Sequence, residues 1–113
     1  MLTLERLIEY GADTVKGLER CMNNEAFYFR LIGMAAADGN FDKLRQAIAD
    51  GDLDNAFEAA HALKGIMGNL SLDPLFDPIC EITELLRAKT EMDYSENLKV
   101  IFDKLQELKD MIG

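Results

Sequence analysis

Apolar residues recur at three- and four-residue steps through most of this chain, and the strict alternation that marks strands is almost absent. Thr3 can cap a short helix ending near Tyr10-Gly11, and Asp13 can cap a second one running to Cys21. Asn23 or Asn24 opens a strongly apolar helix that reaches Ala37, with Asp38-Gly39-Asn40 as its stop. Phe41, Leu44, Ala47 and Ile48 repeat the helical period up to Asp50, either as a bent continuation or as a separate helix. Gly51 ends that segment, and Asp52 or Asp54 caps a helix that runs to about Leu70. Two Asp-Pro pairs follow, Asp73-Pro74 and Asp77-Pro78. Proline is tolerated in a first turn but clashes deeper in a helix. The next helix is therefore expected to start at Pro78 and continue through Ile79, Ile82, Leu85 and Leu86 to about Lys89. Asp93 and Glu96 stand at capping-box spacing, and Leu98, Ile101, Phe102, Leu105, Leu108 and Ile112 form the stripe of a last helix.

Four substantial helices with short connections and one apolar face each predict an all-α fold. The expected architecture is an antiparallel four-helix bundle with short N-terminal helices packed over one end. No internal repeat or low-complexity linker divides the chain, so residues 1–113 read as one domain, long enough for a core without disulfide or metal staples.

Composition narrows the partners. Twelve Lys and Arg stand against 21 Asp and Glu, a net charge of −9 with no local basic cluster, which argues against nucleic acid and anionic lipid. The longest apolar stretches are interrupted by Arg30 or Asp38 and fall short of a bilayer span. The N-terminal Met1-Leu2-Thr3-Leu4-Glu5-Arg6 lacks a basic stretch followed by an apolar run, so no signal peptide is expected and the cytoplasm is the default location. Cys21 and Cys80 stand alone and read as small core residues. With one histidine they do not make a metal site, and none is expected.

That histidine, His61, carries the candidate chemistry. On a wheel of about 100° per residue, Ala56, Ala60, Leu63, Met67 and Leu70 cluster as the core face, and His61 points away from them. Lys64, Gly65 and Gly68 follow at i+3, i+4 and i+7 on the same outer face, with Phe57 at i−4. Imidazole is a competent nucleophile near neutral pH. The Lys64 ammonium can offset the charge of phosphoryl oxygens. Gly65 and Gly68 each cost roughly 1 kcal/mol of helix stability relative to alanine, which makes sense if a partner must approach the imidazole closely. Those glycines could instead permit close helix packing. Phe57 could be a docking contact, or tuck under an N-terminal helix.

The run His61-Ala62-Leu63-Lys64-Gly65, followed by Asn69-Leu70, resembles the signature of histidine phosphotransfer (HPt) domains, His-x-Leu-Lys-Gly with a later Asn-Leu-Gly. The similarity extends over nearly the whole chain, including Gly17-Leu18 and Gly51-Asp52. Ser71 departs from it, standing where many members have glycine. The resemblance implies that His61 is phosphorylated through Nε2, that Lys64 helps bind the phosphoryl group, and that Gly65 leaves room for a receiver domain. Such domains do not hydrolyse ATP. They exchange phosphoryl groups with aspartates of response-regulator receivers, which bring the Mg²⁺. The partners implied are those receivers and hybrid histidine kinases, met by a monomer with no cofactor of its own.

Two other readings remain. Ala62 in place of an acid, and Ile66 in place of a proline, do not look like the phosphoacceptor helix of a sensor kinase, and no glycine-rich nucleotide loop is present. The chain could still be an HPt module of a larger hybrid or chemotaxis-type kinase, although the Met1 start favours a stand-alone protein. It could also be a bundle that binds a partner without phosphoryl chemistry, against which His61 and Lys64 both weigh.

Overall fold

Seven helices account for most of the chain in a computed structural model that describes residues 1–113, and it contains no strand. They are α1 (Leu4–Tyr10), α2 (Thr14–Arg20), α3 (Glu25–Ala36), α4 (Asn40–Ala49), α5 (Leu53–Asn69), α6 (Asp73–Arg87) and α7 (Ser95–Ile112). The starts of the first three are fixed by side chains that accept a hydrogen bond from a first-turn amide: Thr3 from Arg6, Asp13 from Lys16 and Asn24 from Phe27. Phe41–Asp50 resolves as a separate helix. Asp38 turns its carboxylate onto the Asn40 amide at 2.8 Å and breaks the chain between α3 and α4.

Two expectations fail at helix starts. α6 begins at Asp73 rather than Pro78, with Pro74 in its first turn and Pro78 inside the helix. Leu75 and Ile79 are both fully buried, and their packing holds the turn ahead of Pro78 in helical form despite the missing amide. α7 has no side-chain cap at its first turn. Asp93 instead accepts from the Ser95 amide at 2.9 Å, so the Asp93–Glu96 capping box does not form.

One cluster of 25 buried residues runs from Leu7 to Leu108. α5 packs on α4 and on α6, α6 packs on α7, and α3 packs on α7. From α4, Phe41 meets Phe102 of α7 edge-on at 6.1 Å. α1 and α2 lie where α5 ends and α6 begins. The Asp13 amide donates to the Ser71 carbonyl at 3.0 Å, and the Tyr10 hydroxyl to the Lys104 carbonyl at 2.8 Å. No helix is long and apolar enough to cross a membrane.

Candidate functional site on the outer face of α5

Asp52 caps α5 by accepting from the Asn55 amide at 3.1 Å, which fixes the start of the helix. Ala56, Ala59, Ala60, Leu63 and Met67 are buried, and Leu70 just past the helix is buried too. With that face turned inward, His61 is exposed, Gly65 is exposed, and Lys64, Phe57 and Gly68 are half-buried at the flank. His61, Lys64 and Gly65 thus share one outward patch.

The two glycines beside the histidine differ. A Cβ at Gly65 would meet nothing within 4 Å, so that position opens to solvent. A Cβ at Gly68 would come within 2.9 Å of the Phe76 ring on α6, so Gly68 lets α6 lie close against α5. The open face is therefore narrower than the expected set, and Gly68 belongs to its packed edge. Phe57 does not tuck under an N-terminal helix. Its ring stacks on the His61 imidazole, centroids 5.6 Å apart and planes 21° from parallel.

α6 supplies a flank that the sequence pattern did not single out. The Arg87 guanidinium lies over the Phe57 ring, 4.9 Å from its centroid, and its Nε donates to Glu84 Oε2 at 3.0 Å. That hydrogen bond holds the Glu84 carboxyl below its ordinary range, aided by the charges of Arg87, Lys64 and His61. Burial pushes the Cys80 thiol up, and the nearby Lys64 charge opposes that. Cys80 is half-buried and Cys21 buried. Lys64 is in no ion pair, so no carboxylate of the chain competes with an incoming anion for its ammonium. Cys80, Glu84 and Arg87 stand at helical spacing outside the buried stripe Leu75-Ile79-Ile82-Leu86, which is the one signal by which they could have been found. No group of three or more His, Cys, Asp and Glu side chains is arranged so that it could hold a metal ion.

The end of α5 is held from the N-terminal side. Arg20 Nη1 donates to the Gly68 carbonyl at 2.7 Å and to the Ser71 hydroxyl at 2.9 Å, and the Tyr28 hydroxyl donates to the Leu70 carbonyl at 2.8 Å. A guanidinium here satisfies carbonyls that a helix C-terminus leaves unpaired, and complements its dipole. Ser71 sits at φ +54°, the left-handed region that favours glycine, and its hydroxyl is engaged by Arg20.

The all-helical fold presents a solvent-facing imidazole with an ammonium in no ion pair one turn away. The family model of the Hpt domain matches residues 34–113, and the chain belongs to that family, whose members serve histidine phosphotransfer in phosphorelays and are phosphocarriers rather than kinases. The match begins within α3, so α1, α2 and the first part of α3 lie outside it, a narrower reach than the near-full-length similarity read from the sequence. No curated protein and no solved structure matches the chain.

Proposed function

We propose that this protein is a phosphorelay carrier that takes a phosphoryl group on Nε2 of His61 and exchanges it with aspartates of response-regulator receiver domains. The observation that carries this reading is the exposed His61 beside Lys64 and the open space over Gly65, in a chain of the Hpt family. In the neutral tautomer with the proton on Nδ1, the Nε2 lone pair attacks phosphorus of the receiver's aspartyl phosphate. The N–P bond forms as the P–O bond to the aspartate breaks, the carboxylate leaves ionised, and Nδ1 keeps its proton. The Lys64 ammonium offsets charge on the phosphoryl oxygens as they pass, which is the main demand of a loose phosphoryl-transfer transition state. The receiver supplies the Mg²⁺ that the transfer needs.

α3 and α4, counted as one of the four, form with α5, α6 and α7 an antiparallel four-helix bundle with α1 and α2 over one end, a reading supported by the packing of α4 on α5, α5 on α6, α6 on α7 and α3 on α7. Residues 1–113 act as one domain, supported by the single buried cluster that spans them. The protein works as a monomer in the cytoplasm, charged by hybrid histidine kinases and read by receivers. Mixing it with a radiolabelled phosphoreceiver and Mg²⁺ tests this. Label should move to the protein, survive alkali, be lost in acid, and fail to appear on His61→Gln, whose helical circular dichroism stays that of the parent. Undiminished labelling of His61→Gln would refute the assignment.

A further inference from the structure

Phe57 stands one helical turn before His61 and is half-buried against the core. Its ring is engaged twice within the chain, by the His61 imidazole at 5.6 Å and by the Arg87 guanidinium at 4.9 Å. Both distances lie in the attractive range for aromatic stacking and for a cation over a ring. Arg87 is in turn paired with Glu84 at 3.0 Å, so the histidine of α5 is linked through two contacts to an ion pair on α6. An exposed imidazole without such support samples several staggered χ1 and χ2 positions. A ring packed on one face loses that freedom, while its edge, where both nitrogens lie, stays open. The Arg87 guanidinium also pairs with the Glu84 carboxylate at 3.0 Å, offsetting a negative charge on this flank that would repel a phosphoryl group.

We propose that Phe57, backed by Arg87, is a positioning residue that holds the His61 imidazole in its attacking orientation. This rests on His61 being the phosphoacceptor. Reaction within a bound complex is sensitive to small misplacements of the attacking atom, so loss of the stack acts on the chemical step rather than on docking. A docking contact would act on the other term. An aromatic ring already engaged by two groups of its own chain offers little to a partner.

Two measurements on the intact protein separate these roles. In proton NMR of the wild type, the His61 ring protons should be shifted upfield by the Phe57 ring current. That shift should vanish in Phe57→Leu and persist in Phe57→Tyr. In single-turnover transfer from a phosphoreceiver, Phe57→Leu should lower the saturating rate about tenfold, the worth of one aromatic stack, and leave the half-saturating receiver concentration unchanged. Phe57→Tyr should restore the rate, and Arg87→Met, which keeps the apolar stem without the charge, should lower it about threefold. A Phe57→Leu protein with a raised half-saturating concentration and an unchanged saturating rate would overturn the proposal. So would unshifted His61 protons in the wild type. The NMR result stands whether or not transfer occurs, so failure of the phosphorelay reading and failure of the positioning role are told apart.

Discussion

The outer face of α5 around His61 and the C-terminal end of the same helix are built in opposite ways. At the face, His61 is exposed, Lys64 has no ion-pair partner and Gly65 looks onto empty space. At the end, Arg20 and Tyr28 satisfy the Gly68 and Leu70 carbonyls, and Gly17 exists so that Tyr28 can pass, since a Cβ there would overlap its hydroxyl. Glycine thus marks both regions for different reasons. In the packed end its absence of a side chain is used by a neighbour. On the open face nothing in the fold uses it, and the helix bears a cost of about 1 kcal/mol with no return in packing.

Variants at these positions can break that contrast. The largest effect is expected at Lys64. Lys64→Ala should slow single-turnover transfer by about ten- to a hundredfold, the worth of a charge-assisted hydrogen bond made fully only in the transition state, with the melting temperature unchanged. Transfer at the parent rate would reduce Lys64 to a solvated surface charge. Gly65→Gln should lower transfer by about tenfold or more, since a docking clash of about 1.4 kcal/mol suffices for that. The same change replaces a poor helix former in open space, so the melting temperature should hold or rise by a few degrees. A less stable Gly65→Gln protein that transfers normally would defeat the docking-face model.

Gly17→Ala should show the reverse. Overpacking against Tyr28 should cost about 1–3 kcal/mol and lower the melting temperature by several degrees, while transfer well below that temperature stays at the parent rate. The smallest change is Tyr28→Phe, which deletes the hydrogen bond to the Leu70 carbonyl for about 1 kcal/mol, read by urea denaturation. Burial pushes the Tyr28 phenol up to about 12 from its ordinary 10. Its contribution is therefore complete below pH 10 and fades between pH 10 and 12, as the unfolded chain loses the proton first. Tyr28→Phe should flatten that part of the stability profile. A residual slope should remain from Tyr10, which burial and the Glu107 charge also push upward.

Much of the fold and part of the site were legible in the sequence, for identifiable reasons. Helix periodicity is a local property, so the core face of α5 and the outward direction of His61 follow from spacing alone. The caps at Thr3, Asp13, Asn24 and Asp52 are local as well. The start of α6 was not legible, because burial of Leu75 and Ile79 against other helices overrides the local preference of Pro78. The role of Gly68 and the α6 flank depend on which residues of a second helix lie opposite, and spacing within one helix does not set that register. Arg20 reaches carbonyls 48 and more positions away, a contact with no local signature. The left-handed conformation of Ser71 comes with a second Arg20 contact, to its hydroxyl, that is equally invisible to local spacing.

The most direct test is to locate the phosphoryl group. After transfer from a phosphoreceiver, the protein should be quenched in alkali, digested, and read by tandem mass spectrometry under conditions that keep a phosphoramidate intact. The expected result is one phosphoryl group per chain, on the His61 side chain of its peptide, with none on the His61→Gln protein. A phosphoryl group on any other residue, or a wild-type chain that binds the phosphoreceiver and remains unmodified, would contradict the assignment of His61 as the phosphoacceptor.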